Sequence, residues 1–170
     1  KLADWGVWSC KVMMFERGSD GAFIEASKYA ENALVTFTTH DLASFAGWQT
    51  HSDLRVKREL GIDPGETDEE RTDARHAFEW KLGEEHIAAK NFLGAVEFLA
   101  RTPSRVLAVA LDDLIELRDQ PNIHGTLNEH PNWRRRIPVR LEDLGRSIDL
   151  AALRHALRGR CGSARCMAGP

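Results

Sequence analysis

The chain has 170 residues, of which 42% are hydrophobic and 29% charged. This composition suits a globular protein with one hydrophobic core, and it excludes collagen-like and low-complexity chains. The formal net charge of −3 argues against a dedicated nucleic-acid-binding protein. No apolar run approaches the roughly 20 residues that a membrane-spanning helix needs. We therefore expect neither nucleic acid nor a membrane as a partner.

Three short segments predict β-strands: residues 9–15, 33–39 and 106–111. The last two are nearly continuous in apolar or β-branched residues, which is typical of strands buried on both faces of a parallel sheet. Helical patterns occupy residues 53–60, 67–82, 84–100, 141–144 and 150–157. We expect Gly61 to end the first helix, and Thr67 with Glu70 to form a capping box at the start of the second. This alternation predicts an α/β fold with parallel strands.

Arginine dominates the C-terminal region, where arginines outnumber acidic residues nine to three between positions 134 and 170. We interpret residues 146–170 as a terminal helix and a flexible basic tail, distinct from residues 1–145. A phosphate-binding tail is the alternative, but no aromatic residue other than Trp133 alternates with these arginines. A solvated surface is the interpretation that we prefer.

The N-terminus and the cysteines indicate the cellular compartment. The chain begins without methionine and without the apolar segment of a signal peptide, so we expect a processed or truncated N-terminus. Three cysteines without a signal peptide predict reduced thiols and a cytoplasmic protein. Cys161 and Cys166 have the spacing of half a zinc site, but no second pair completes it. We expect no metal and no organic cofactor.

His40 and Asp41 directly follow the second predicted strand. In parallel α/β proteins, ligands gather at the carboxyl ends of strands, where a carboxylate stabilises positive charge and an imidazole binds a hydroxyl group. An aspartate that only caps the next helix is an equally good interpretation. Ser44 does not complete a nucleophilic triad, because no G-x-S-x-G elbow is present. The sequence also lacks a P-loop and a dinucleotide-binding glycine motif.

A long loop after the third predicted strand, residues 120–136, is rich in side chains that recognise polyols. Trp133 is suited to stacking on a sugar ring, and Asn122 to binding sugar hydroxyl groups. The alternative is a rigid turn set by Pro121 and Pro131, with the arginines paired to carboxylates.

Four stretches of the chain are distinctive: SCKVMMFER, ALVTFTTHDLASFAGW, FLARTPSRVLAVALDDL and QPNIHGTLNEHPNWRRRIP. Together and in this order they resemble the 4-alpha-glucanotransferases of glycoside hydrolase family 77, also called amylomaltases or disproportionating enzymes. The resemblance covers residues 5–144. It implies the C-terminal portion of a (β/α)8 TIM barrel, about strands six to eight, with an inserted helical segment. It further implies retaining transfer of 1,4-alpha-glucan segments between maltooligosaccharides.

The resemblance also assigns site residues. Asp41 matches the catalytic carboxylate that stabilises the transition state, His40 matches a neighbouring sugar-binding histidine, and Asn122 matches a substrate-facing asparagine. We expect Trp48 and Trp133 to bind substrate as well. The chain departs from the family pattern, which puts the fine substrate geometry in question, at four positions: Ala43, Ser44, Ala110 and His124.

Retaining transfer also needs a carboxylate nucleophile and a carboxylic general acid/base. The family places them in Arg-x-Asp-His and Gly-Glu-Asp-Leu-Gly settings, neither of which occurs in these 170 residues. We therefore expect an incomplete C-terminal part that is inactive alone, partnered by the missing N-terminal part or by a second copy of the chain. Two alternatives stay open: a non-catalytic glucan-binding or scaffold remnant, and an HD-type metal phosphohydrolase using His40 and Asp41.

Overall fold

A computed structural model describes residues 3–161 and contains one small parallel sheet. Its strands are β1 (Ser9–Val12), β2 (Ala33–Thr36) and β3 (Val106–Leu107), in the order β1-β2-β3. Cys10 lies opposite Leu34, and Leu34 in turn lies opposite Val106. The predicted α/β fold with three parallel neighbouring strands is confirmed.

All three strands are shorter than the sequence predicts. After β1 the chain turns into a 3-10 helix, Met13–Phe15, and after β2 it leaves the sheet at Phe37. The Thr36 hydroxyl group donates a hydrogen bond to the Thr38 carbonyl oxygen at 3.0 Å. Such local side-chain bonds compete with a strand ladder. The chain beyond Thr36 is therefore an ordered loop instead of a continued strand.

Helices fill the chain between and after the strands. The helices are α1 (Phe45–Thr50), α2 (Ser52–Glu59), α3 (Asp68–Glu84), α4 (Phe92–Ala100), α5 (Leu111–Leu114), α6 (Leu144–Ser147), α7 (Leu150–Ala156) and α8 (Arg158–Cys161). Short 3-10 helices occupy Ala3–Trp5, Ala26–Lys28 and Leu141–Asp143. Within the described residues, no helix is long and apolar enough to cross a membrane.

Two predicted helix ends are confirmed in detail. At the start of α3 the Thr67 hydroxyl oxygen accepts from the Glu70 backbone N–H at 3.1 Å, and the Glu70 carboxylate accepts from the Thr67 N–H at 2.8 Å. This is the reciprocal capping box. After α2, Gly61 adopts a left-handed φ of 70°, and the next N–H donates back to the Lys57 carbonyl oxygen. A glycine takes this conformation without the steric cost of a Cβ.

The helix predicted over residues 84–100 is confirmed only from Phe92 to Ala100, because the structure has a break before it. Helix α3 ends at Glu84 and α4 begins only at Phe92. His86 adopts a left-handed φ of 56°, and the next N–H donates to the Leu82 carbonyl oxygen at 2.8 Å. Asn91 then caps α4 by accepting from the Gly94 N–H. A histidine therefore ends this helix in the way a glycine normally does.

The core lies between β2 and the helices. Ala33 and Val35 are buried on the helix-facing side of β2, and Phe37, just after the strand, is buried in the same core. The alternate residues Leu34 and Thr36 line a cavity on the other side, as the two-residue period of a strand requires. The two faces of β2 thus separate the packed core from the candidate site.

The C-terminal helices α7 and α8 pack against α4. The terminal helix predicted over residues 150–157 corresponds to α7. The rest of the predicted tail, residues 162–170 with Cys166, lies outside the described residues, as does the side chain of Cys161.

Candidate active site

A tight turn after β2 presents His40 and Asp41. The Thr39 carbonyl oxygen accepts the Leu42 N–H at 3.1 Å, which places His40 and Asp41 at the two central positions of the turn. The Thr38 hydroxyl group donates to the Ala43 carbonyl oxygen at 2.7 Å and ties the exit of the turn to its entry. Backbone and threonine bonds therefore fix the direction in which both side chains leave the sheet.

Ser44, and not Asp41, caps the helix that follows the turn. The Ser44 hydroxyl oxygen accepts the Gly47 N–H at 3.1 Å at the start of α1. The interpretation of Asp41 as a simple helix cap is therefore wrong. The Asp41 carboxylate contacts His40 and Asn122 instead.

Four of the five predicted site residues meet at one place. Asp41 Oδ2 lies 3.1 Å from His40 Nε2, and Asp41 Oδ1 accepts from Asn122 Nδ2 at 2.6 Å. The Trp133 ring centroid lies 5.1 Å from that of His40. Residues that are 81 positions apart in the chain are thus joined at the carboxyl side of the sheet.

Trp48, the fifth predicted residue, lies in the core instead. It is 2% exposed, and its ring packs edge-on against Phe37 and Phe78 at centroid distances of 5.6 and 5.8 Å. A side chain without accessible surface has no face to offer a sugar. We therefore reassign Trp48 from substrate binding to core packing.

The loop that carries Asn122 and Trp133 is closed on itself. The Trp133 N–H donates to the Pro121 carbonyl oxygen at 3.0 Å, and Trp133 has a left-handed φ of 58°. The buried Gln120 side chain donates to the Asn122 carbonyl oxygen at 2.6 Å. A rigid loop with an exposed aromatic ring is compatible with sugar binding.

A cavity of about 370 Å³ borders the turn after β2 and the segment that follows β3. Its size falls in the range of small-ligand sites. Residues of β1 and β2, of the turn after β2 and of the segment that follows β3 line it, including Thr38, Thr39, His40, Asp113 and Pro121. Of the four residues that meet at the turn, His40 is the one in the cavity lining.

Asp113, a buried carboxyl group in the cavity wall, was not among the predicted site residues. It is 2% exposed, and its Oδ1 accepts the Phe45 N–H at 2.6 Å, which links α5 to the start of α1. Burial raises the pKa of Asp113 to about 6, although the Phe45 N–H opposes the shift and Asp112 adds to it. The only sequence signal was an acidic pair directly after the third strand.

Across residues 3–161, no group of three or more histidine, cysteine or acidic side chains is arranged to hold a metal ion. The HD-type phosphohydrolase alternative needs further metal ligands near His40 and Asp41, so it gains no support from this part of the chain.

The family model for 4-alpha-glucanotransferases, glycoside hydrolase family 77, matches residues 1–142. The chain belongs to this family. Among curated proteins, the 4-alpha-glucanotransferases of Mycobacterium bovis and Mycobacterium tuberculosis are each 33% identical over 90% of the chain. That of Haemophilus influenzae is 28% identical over 78% of it.

The chain spans about a quarter of the length of the curated 4-alpha-glucanotransferases it matches, 24% for the mycobacterial proteins. Among solved structures, it is similar to amylomaltase from Corynebacterium glutamicum, with a TM-score of 0.68 at 21% identity over 94% of the chain and 26% of that protein. Amylomaltase from Streptococcus agalactiae in complex with acarbose gives a TM-score of 0.53 at 20% identity, over 91% of the chain and 27% of that protein. These likenesses support the α/β fold.

Proposed function

We propose that this chain forms the transition-state-stabilising part of a retaining 4-alpha-glucanotransferase acting on 1,4-alpha-glucans and maltooligosaccharides. The observation that carries the proposal is the Asp41 carboxylate, held by His40 and Asn122 at the carboxyl ends of parallel strands. Ligand sites of parallel α/β folds lie at this end of the sheet.

The chemistry of glycosyl transfer explains the use of such a carboxylate. The transition state resembles an oxocarbenium ion, so positive charge develops on the sugar ring as the glycosidic bond breaks. A fixed negative charge beside the ring stabilises that state more than the neutral ground state, and therefore raises the rate. Asn122 donates to one carboxylate oxygen and His40 lies at the other, so Asp41 is oriented before substrate arrives.

The neighbouring groups suit a sugar. Trp133 offers an exposed ring face for stacking, next to the His40 imidazole, which can exchange hydrogen bonds with a hydroxyl group. We assign Asp41 to catalysis, and His40, Asn122 and Trp133 to substrate binding. The retaining reaction requires no metal or organic cofactor from these residues, because carboxylates carry it.

We place β1, β2 and β3 as about strands six to eight of a (β/α)8 barrel, with α2 and α3 in the inserted helical segment. The nucleophile and the general acid/base would come from residues outside these 170, about 5–5.5 Å apart as in retaining enzymes. The N-terminal part of the enzyme, or a second copy of this chain, would cover the open edge of β1. We place the enzyme in the cytoplasm.

A non-catalytic glucan-binding role is the second candidate. It is favoured by one observation: the sugar-binding side chains are grouped together, whereas the 170 residues contain neither family motif for the other two carboxylates.

Product analysis on maltotriose separates the candidates. We expect the full-length protein that carries this chain to form both longer and shorter maltooligosaccharides, resolved by chromatography, and the 170-residue chain alone to form none. Absence of transfer by the full-length protein would contradict the proposed activity. Glucan binding without transfer, weakened by Trp133→Ala, would establish the second candidate. Transfer by the chain alone would show that its own carboxylates complete the reaction.

A further inference from the structure

The Asn132 side chain makes three hydrogen bonds within the loop that carries Asn122 and Trp133. Its Oδ1 accepts the Ile123 N–H at 2.9 Å. Its Nδ2 donates to the Thr126 carbonyl oxygen at 3.1 Å and to the Thr126 hydroxyl oxygen at 2.7 Å. The Thr126 hydroxyl group in turn donates to the Ile123 carbonyl oxygen at 2.7 Å. One carboxamide therefore joins the two ends of the loop.

These bonds lie next to both substrate-facing side chains. Ile123, whose N–H donates to the Asn132 oxygen, directly follows Asn122 and is itself 2% exposed. Trp133 directly follows Asn132, and its N–H closes the loop on Pro121. A left-handed φ is unfavourable for a tryptophan, so its neighbours must hold it in place.

We propose that Asn132 is a positioning residue for the candidate site. Its carboxamide holds the loop in the shape that brings Asn122 onto Asp41 and the Trp133 ring onto His40. Asn132 itself does not contact substrate; it acts through these two residues. This inference rests on the proposed function for its kinetic consequence, and on the loop geometry alone for its structural one.

Asn132→Asp is the sharpest variant because it keeps the shape of the side chain. The oxygen facing the Ile123 N–H remains, but the donor becomes a second carboxylate oxygen that faces the Thr126 carbonyl oxygen. Two acceptors then oppose each other, and the loop loses its closure. Asn128→Asp is the matched control, since it adds the same charge at an exposed position of the same loop. Thr126→Val removes the hydroxyl group from the same network without adding charge.

The test combines crystal structures of these full-length variants with maltotriose kinetics. We expect Asn132→Asp to separate Asn122 Nδ2 from Asp41 Oδ1 beyond hydrogen-bond distance, to raise KM, and to lower kcat by about tenfold to a hundredfold. Thr126→Val should change the same quantities less, and Asn128→Asp should keep the 2.6 Å bond and wild-type kinetics.

An unchanged Asn122–Asp41 bond in Asn132→Asp would overturn the proposal, as would unchanged KM and kcat in a wild-type enzyme that is active. If Asn132→Asp does not fold, Thr126→Val decides by the same two measurements. If the wild-type protein transfers no glucan, the proposed function is wrong. The role of Asn132 is then tested by the distance between Asn122 Nδ2 and Asp41 Oδ1 in the crystal structures alone.

Discussion

Two groups of charged side chains lie in contrasting environments, one at the α2–α3 junction and one at the Asp41 turn. At the junction, Arg71 makes two bonds of 2.8 and 2.9 Å to Asp53, and both side chains are only 3% exposed. Glu66 and the Trp48 carbonyl oxygen accept further bonds from the same guanidinium group. At the turn, Asp41 is 47% exposed and holds two partners.

The difference shows how the fold separates stability from chemistry. A buried charge must have all its partners, because an unpaired one costs several kcal/mol. Such a charge is fully occupied and cannot bind a ligand. An exposed carboxylate contributes little to stability, since water solvates it in either state. Asp41 is therefore able to change partners when substrate binds, whereas Asp53 is not.

The largest effect on stability should come from the buried cluster. Arg71→Ala leaves Asp53 buried without its partner, so we expect a loss of about 3–5 kcal/mol in the free energy of unfolding. Arg55→Ala is the control, because it breaks an exposed pair with Glu59 and should cost less than about 1 kcal/mol. Urea unfolding measures both. Equal losses in the free energy of unfolding for the two variants would contradict the difference between the two environments.

Asp113 combines features of both environments, because it is a buried carboxyl group in the wall of the cavity. Its pKa is raised to about 6 in the folded state, against about 3.9 in an unfolded chain. The native state therefore holds the proton more tightly, and stability falls as pH rises from about 4 to about 6. Above about pH 6 the free energy of unfolding is lower by about 3 kcal/mol than it is below about pH 4, because the pKa of Asp113 differs by about two between the folded and unfolded states.

Asp113→Asn cannot ionise and keeps an oxygen for the Phe45 N–H. We expect the variant to gain stability relative to wild type as pH rises through this range, with the gain levelling off above about pH 6. Thermal unfolding at several pH values measures the gain. A difference between variant and wild type that does not change with pH would contradict the effect that we assign to burial.

A smaller effect should follow from the close approach of two backbones beside the site. A Cβ on Gly47 would lie 2.6 Å from the Arg118 carbonyl oxygen, just before the loop that carries Asn122. Gly47→Ala should therefore cost about 1–3 kcal/mol. Gly145→Ala is the control, since a methyl group there would meet nothing within 4 Å and alanine favours a helix. Equal unfolding midpoints for the two variants would show that the backbone at Arg118 moves away from the added methyl group without a loss of stability.

Local sequence patterns predicted the elements whose causes are themselves local. Apolar runs located the three strands, and residues Thr67 and Gly61 marked helix ends through their own chemistry. The helix break at His86 was not predicted, because a histidine in the left-handed region does not change the hydrophobic periodicity of the sequence.

The candidate site divides in the same way. The strand-end position of His40 and Asp41 was visible in the sequence, as was the polar loop that carries Asn122 and Trp133. The burial of Trp48 and the partners of Asp113 and Asn132 depend on segments far apart or on loop closure. Spacing along the chain carries no information on such contacts, so only the structure reveals them.

The central claim is that the Asp41 charge stabilises the transition state, and the kcat of Asp41→Asn in the full-length protein tests it most directly. The amide keeps the shape of the side chain and an acceptor for Asn122, but it removes the charge. We expect maltotriose transfer to slow by about 10²–10³-fold with a nearly unchanged melting temperature. Asp73→Asn, on the exposed face of α3, should transfer at the wild-type rate. Wild-type turnover in Asp41→Asn would contradict the claim.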